Sequence, residues 1–337
     1  VCSSDLVSVA MVIRWFTALA AWLMGLTAHA QANAQTNVEA YPTRNIRLIV
    51  PFGAGGGPDA TGRQLAQGLS ERTKRNVIVD NRPGASGLMG MAELARANAD
   101  GHTIGTVSVS QAVIQAMAAN PPVNIARDLA PVAHLFRQYT VLVVKPDSPA
   151  RSARELIQLL RDKPAFHSYA SGGNGTPAHL AGELFLSANK VQARHIPYKG
   201  MMAAVTDIIR GDVLFACSVT SNVAPLIQGG RLRALGLLAP RRINTFPDVP
   251  AFPELGLPDV DVTSWVGMAT PMATSPAVRQ RLSGLLRDIV EDATHAKAFG
   301  VLGLEVAYQP MEPFGGVIQT EVARWARFVK ETGLRID

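Results

Sequence analysis

Residues 45–59 have the sequence NIRLIVPFGAGGGPD, in which a strand, a glycine loop and the start of a helix follow one another. Ile46–Val50 is a short apolar run of the kind that fills a buried parallel strand. Residues 53–57 let the backbone turn sharply, and Pro58 suits the first helical position, which makes Gly57 the predicted cap. Because the first amides of a helix have no partner inside it, we predict that this loop binds a carboxylate.

Length and composition are those of a globular protein of two domains, with 337 residues, 47% hydrophobic and 17% charged. The net charge of +6 favours acidic small molecules, an anionic surface or nucleic acid as partners. However, the basic residues are scattered, without a run of five or more and without interleaved aromatic residues. We therefore expect no nucleic-acid partner.

An export signal is predicted at residues 11–30. Residues 11–14 give a short basic start, residues 15–26 are apolar, and Ala28-His29-Ala30 is a small-x-small cleavage site. We expect cleavage after Ala30. The ten residues before Met11 resemble translated adapter DNA, and we exclude them from the fold. Cleavage leaves Cys217 as the single cysteine, so we expect no internal disulfide.

The chain after the first loop predicts an α/β fold. Three strand–helix units follow one another up to Ser110, which favours a parallel sheet whose loops gather at one edge, where ligands bind in such sheets. A second series begins at Leu142. It contains residues 168–180, SYASGGNGTPAHL, which repeat the first arrangement with a glycine loop, a capping Thr176 and a proline.

Several blocks of the sequence resemble one receptor family. They are Tyr41-Pro42 with the first glycine loop, Asn81-Arg82-Pro83-Gly84-Ala85, Asp100-Gly101, residues 173–183 (GNGTPAHLAGE), Pro197-Tyr198-Lys199-Gly200, residues 229–235 (GGRLRAL), Phe246-Pro247-Asp248-Val249-Pro250 and Ser264-Trp265-Val266-Gly267. In order and spacing they resemble the Bug-type, TctC-like solute-binding receptors of tripartite tricarboxylate transporters. The resemblance covers the whole mature chain.

The resemblance implies a periplasmic two-domain binding protein of type II, a Venus flytrap with two crossover strands. One lobe would comprise residues 41–141 and 264–337, and the other residues 142–263. It further implies a monomer that closes over a small carboxylate and docks on a membrane permease of the tripartite tricarboxylate type. We expect no enzymatic activity, no metal and no cofactor.

In such receptors the main-chain amides of two glycine loops hold the ligand carboxylate, and those loops correspond here to residues 52–58 and 171–176. Serines and small residues at other strand ends are candidates for the rest of the ligand. The predicted ligand-binding residues are Phe52, Gly53, Ala54, Gly55, Gly56, Gly57, Pro58, Asp59, Ala85, Ser86, Ser108, Ser110, Ser171, Gly173, Asn174, Gly175, Thr176, His179, Tyr198 and Ser218.

This chain departs from the family pattern at two places. Ser218 stands where many members have an acidic residue, which argues against an amino acid as ligand and for a plain mono- or dicarboxylate. Met201 and Met202 stand where small or hydroxyl residues are common, which predicts a less polar pocket wall.

Several residues have two interpretations from sequence. Asp59 complements the helix dipole or lies in the site, and His179 either fixes its loop or touches the ligand. Tyr198 and Trp265 either line the cleft or pack in the hinge, whereas we expect Lys199 to be solvated. Two functions compete with transport: a sensory receptor with the same cleft, and a hydrolase using Ser171 with His179, for which no orienting acid lies nearby in sequence.

Overall fold

The computed structural model describes residues 41–258 and 260–332, with side chains to residue 330. The predicted export signal at residues 11–30 lies outside the described residues. From Arg44 onward the chain forms one compact unit. Within the described ranges, no helix combines the length and apolar character that crossing a membrane requires.

The described residues contain eleven α-helices and eleven strands. The helices are α1 (Gly57–Thr73), α2 (Leu88–Ala95), α3 (Val109–Met117), α4 (Ile125–Asp128), α5 (Ala153–Asp162), α6 (Pro177–Asn189), α7 (Met201–Arg210), α8 (Thr220–Gln228), α9 (Pro276–Val290), α10 (Ala293–Val301) and α11 (Met311–Thr332). The strands are β1 (Ile46–Val50), β2 (Val77–Asn81), β3 (Thr103–Ser108), β4 (Leu129–Gln138), β5 (Thr140–Val144), β6 (Ser168–Ser171), β7 (Arg194–Pro197), β8 (Phe215–Val219), β9 (Arg233–Leu238), β10 (Ser264–Pro271) and β11 (Leu304–Pro310).

The strands form two sheets. The first has the order β11-β4-β10-β3-β1-β2, with β1 parallel to β2 and β3, as the strand–helix units predicted, and β10 antiparallel to β3 and β4. The second has the order β7-β6-β8-β5-β9, in which β6 is parallel to β7 and β8 and β5 is antiparallel to its neighbours. Each sheet is therefore mixed, with its parallel strands followed by helices.

The chain crosses between the sheets twice. It leaves the first sheet after Gln138 and enters the second at Thr140, and it returns between Leu238 and Ser264. The predicted α/β class with two crossovers is confirmed, whereas the predicted lobe limits at 141/142 and 263/264 stay a prediction.

Strand alternation builds the core on both faces of the second sheet. Leu142 and Val144 pack with α5 and α6, whereas Val141 and Val143 pack with α7 and α8. Successive side chains of a strand point to opposite faces, so one apolar run serves two helical layers. These layers hold the carboxyl ends of β6, β7 and β8 in fixed positions.

The first glycine loop ends one residue earlier than predicted. Gly56 is the N-cap of α1, Gly57 is its first residue, and Pro58 is its second. Leu65, Ala66 and Leu69 lie at helical spacing on α1 and are buried. The shift matters because the Gly57 amide becomes a first-turn donor.

Candidate functional site

A cavity of about 600 Å³ lies where the loops of the two sheets meet. Twelve of the predicted ligand-binding residues line it: Phe52, Gly53, Ala54, Gly56, Pro58, Ala85, Ser86, Ser108, Ser110, Gly173, Thr176 and Tyr198. Eight others do not line it: Gly55, Gly57, Asp59, Ser171, Asn174, Gly175, His179 and Ser218. Several of the eight hold the lining residues in place.

Six helices begin at this cavity. The N-cap residues of α1, α2, α3, α6, α7 and α8 all line it, namely Gly56, Gly87, Ser108, Thr176, Gly200 and Val219. Each helix N-terminus carries a partial positive charge from its unpaired amides. Lys199 is the one charged side chain among the lining residues, and none of them is acidic. The cavity is therefore electropositive.

Among residues 53–57, three cavity-lining residues have amides without an acceptor in the described part of the chain. Among the described residues, the amides of Gly53, Ala54 and Gly56 donate no hydrogen bond. The other two amides are occupied: Gly55 donates to Asp59 Oδ2 at 2.9 Å and Gly57 donates to Asn222 Oδ1 at 3.0 Å. The loop therefore offers an anion the donors of residues 53, 54 and 56.

Asp59 organises this loop. Its buried carboxylate accepts from Gly55 N, from Asn81 Nδ2 at 3.0 Å and from Arg63 Nε at 3.0 Å. Burial opposes ionisation, but the hydrogen bonds from Arg63, Gly55 and Asn81 outweigh it and lower the pKa of Asp59. The carboxylate thus points into its own loop instead of the cavity.

The second glycine loop is fixed by its own side chains. Ser171 Oγ accepts from Gly173 N at 3.1 Å, and Thr176 Oγ1 donates to Gly173 O at 2.7 Å. His179 Nδ1 accepts from Gly175 N at 3.1 Å. Within the described part of the chain, the Gly172 amide donates no hydrogen bond, and it is the free cavity-lining donor of this loop.

Two stacked histidines lie behind the second loop. The rings of His179 and His195 are 4.1 Å apart and inclined by 15°, and Tyr169 stacks on His195 at 4.8 Å. His195 Nε2 lies 2.7 Å from Ser171 Oγ. Burial lowers the pKa of both histidines, to about 4 for His195, where the charge of His179 adds to the effect. The loop is therefore supported by neutral imidazoles.

We expect the thermal stability of the protein to fall as the pH decreases from about 6.5 towards 4. His195 stays neutral in the folded protein, but in the unfolded chain it takes up a proton near pH 6.5, so the unfolded state binds more protons in this window. Tm should rise with pH across the window and level off above it. Circular dichroism melts of His195→Gln should show a smaller slope there, and an unchanged slope would contradict this linkage.

Each glycine loop touches the opposite half of the cleft. Gly57 N binds Asn222 Oδ1 on α8, and Ser86 Oγ donates to Asn174 O at 2.8 Å. Near the crossover, Ser221 Oγ donates to Gln138 Oε1 at 2.8 Å. Hydrogen bonds therefore join the two halves of the cleft.

Comparison with known proteins identifies the family to which this chain belongs. Residues 61–334 match the family model described as tripartite tricarboxylate transporter family receptor, TctC. The chain belongs to this family. Protein BugT of Bordetella pertussis is 32% identical over 305 residues, which cover 90% of this chain and 94% of BugT.

Solved structures share the fold of this TctC receptor. The periplasmic binding protein BugD is similar with a TM-score of 0.82 and 28% identity, covering 88% of this chain and 99% of that one. Rpa4515 of R. palustris, solved with adipate, is similar with a TM-score of 0.83 and 26% identity. The match covers 88% of this chain and 99% of Rpa4515. The receptor has the two-domain fold of periplasmic binding proteins.

Ser218 does not line the cavity, contrary to its prediction as a ligand-binding residue, because it lies within strand β8. Its side chain shares a face with Ala216, which packs under α7 and α8, and it is fully buried. Its Oγ donates to Val219 O at 3.4 Å. The last residue of this strand, Val219, does line the cavity, as do Ser221 and Asn222 in the helix that follows.

Tyr198 and Trp265, which the sequence left open, and Lys199, which was predicted to be solvated, have definite positions in the receptor. Tyr198 lines the cavity and donates its hydroxyl to Asp207 at 2.6 Å, and the exposed Lys199 lines the cavity as well. Trp265 is buried in the core of the first sheet against Phe314. Tyr198 and Lys199 are therefore cavity residues, and Trp265 is a packing residue.

The hydrolase interpretation is not supported by the position of Ser171. This serine is fully buried, does not line the cavity, and its Oγ lies 3.0 Å from Gly173 O as donor. Its histidine neighbour is His195, not the predicted His179. Residues 41–258 and 260–332 contain no group of three potential metal-binding side chains.

Five polar residues of the cavity were not predicted from the sequence: Thr61, Thr106, Gln138, Ser221 and Asn222. Ser221 and Asn222 had a detectable signal, because polar residues after a strand commonly begin a helix. Thr106 and Gln138 lie inside strands and had none.

Proposed function

We propose that this receptor captures a small organic mono- or dicarboxylate between its two lobes and delivers it to a tripartite tricarboxylate-type transporter. The observation that carries the proposal is the convergence of six helix N-termini on a cavity without an acidic lining residue. The similarity to Rpa4515, whose structure contains adipate, supports the same ligand class.

The ligand carboxylate would bind the free amides of both glycine loops. With the predicted lobe limits, Gly53, Ala54 and Gly56 would belong to the lobe of residues 41–141 and 264–337, and Gly172 would belong to the lobe of residues 142–263. All four residues line the cavity. Each amide-to-carboxylate hydrogen bond contributes about 1.5–3 kcal/mol when well aligned. A ligand held from both lobes favours the closed form, because only a ligand with differential affinity shifts such an equilibrium.

The place of action follows from the family and from the predicted export signal. We propose that the mature receptor is periplasmic, acts as a monomer, and presents its closed lobes to a membrane permease. It performs no chemistry on the ligand, so the capture step is binding alone.

Isothermal calorimetry and thermal melts with the purified protein test the proposal. Succinate, adipate, benzoate, aspartate, glucose and putrescine form a suitable panel. At least one organic acid should bind and raise Tm with concentration, whereas glucose and putrescine should not. Binding of sugar or amine with no effect of any organic acid would contradict the proposal.

A further inference from the structure

The cavity is larger and more apolar than a short-chain acid requires. Its volume of about 600 Å³ lies in the range of roughly 300–1,000 Å³ typical of sites that enclose drug-sized ligands. Its apolar lining includes Phe52, Val219, Val266, Met201 and Met202. A carboxylate held at the glycine loops therefore leaves most of the cavity for the body of the ligand.

Met201 and Met202 form the apolar wall beside the second glycine loop. They are the first two residues of α7, and Gly172 packs against the Met201 amide. Met201 is 7% exposed and anchored in the core with Ala204 and Val205, whereas Met202 is 37% exposed. Of the large hydrophobic side chains with high exposure in the described chain, Met202 is the one that lines the cavity. A bound apolar group would remove it from water.

The polar residues that line the cavity provide little stabilisation for a second charged group on the ligand. Lys199 is exposed, and exposed ion pairs add little free energy because water screens them. An ammonium group would find no acidic partner among the lining residues. The buried side chains of Thr106 and Ser110, 6% and 4% exposed, line the cavity and form no hydrogen bond with described residues, so they suit one neutral hydroxyl or carbonyl group.

We propose that the receptor selects a monocarboxylate whose body is apolar and of aromatic-ring size. This inference rests on the proposed function and names the ligand class of the same site. Met201 and Met202 are its specificity-determining residues, because the flexible thioether packs closely on ring edges and faces. Thr106 and Ser110 would bind a neutral polar substituent on the ring.

Calorimetry with benzoate, cyclohexanecarboxylate, acetate, succinate and adipate tests the selection. Ring-bearing acids should bind at least tenfold more tightly than acetate and the two dicarboxylates. Met202→Thr should weaken the ring acids about five- to tenfold and change acetate less than twofold. Met272→Thr is the matched control, because Met272 is 45% exposed and lies outside the cavity, and it should change nothing.

Tighter binding of succinate or adipate than of ring acids would overturn this inference, most clearly if Lys199→Met removed that binding. An equal loss of all acids in Met202→Thr would also overturn it. In both cases the proposed carboxylate receptor would stand. If no acid bound to the wild-type protein, the proposed function itself would fall.

Discussion

Gly57→Ala should weaken carboxylate binding on the order of 100-fold, or about 2.7 kcal/mol. A Cβ at this position would overlap the carbonyl group of Ser221 and lie 2.7 Å from its Oγ. Because the Ser221 carbonyl group belongs to the main chain at the start of α8, it cannot turn aside as a side chain could. The two halves of the cleft must therefore separate to accommodate the new methyl group. Separation also breaks the hydrogen bond from Gly57 N to Asn222 Oδ1. The closed form would then be populated less, and apparent affinity would fall with it.

Calorimetry on Gly57→Ala and on Gly284→Ala separates this effect from a general effect of the substitution. A Cβ at Gly284 in α9 meets no atom within 4 Å, so that variant should keep wild-type affinity. The ligand-free Tm of both variants should stay near that of the wild type, since each lobe keeps its core. Affinity of Gly57→Ala within threefold of wild type would contradict the close approach seen here.

Asp59→Ala should lower the free energy of unfolding by roughly 2–4 kcal/mol and weaken carboxylate binding as well. The substitution leaves Gly55 N without its acceptor and removes one of the two hydrogen bonds that Asn81 Nδ2 donates, the other being to Phe52 O. It thereby loosens the loop that carries the cavity donors. The sign of the binding effect is informative. If Asp59 faced the ligand, removing its negative charge would tighten the binding of an anion.

Urea unfolding and calorimetry on Asp59→Ala and Asp59→Asn measure both effects. Asparagine keeps a side-chain oxygen for Gly55 N or Asn81 Nδ2, so it should lose less stability than alanine. An increase in carboxylate affinity in either variant would contradict the assignment of Asp59 as an organiser of the loop.

The elements that sequence predicted well are those with strong local signals. Strand β1, the glycine loop and α1 follow from an apolar run, small residues and a proline. Helix α8 was missed, because Pro225 within it and the polar residues at its start are typical of a loop. Because this helix was not predicted, Ser221 and Asn222 were not recognised as cavity residues.

Other features depend on contacts between distant segments. The stack of His179 on His195 exists because β6 and β7 pair in parallel, with Tyr169 opposite His195. Likewise, the hydrogen bond from the Gly57 amide to Asn222 Oδ1 forms only where the two halves of the cleft meet. Local patterns predicted which loops would meet, whereas the division between free and occupied amides required the tertiary structure.

A crystal structure of the receptor with a bound carboxylic acid is the most direct test of the central claim. We predict that the carboxylate oxygens lie within about 3.2 Å of an amide of Gly53, Ala54 or Gly56 and of Gly172, directly or through one water molecule. A carboxylate bound by Lys199 or elsewhere in the cleft, with neither glycine loop in hydrogen-bonding reach, would contradict it.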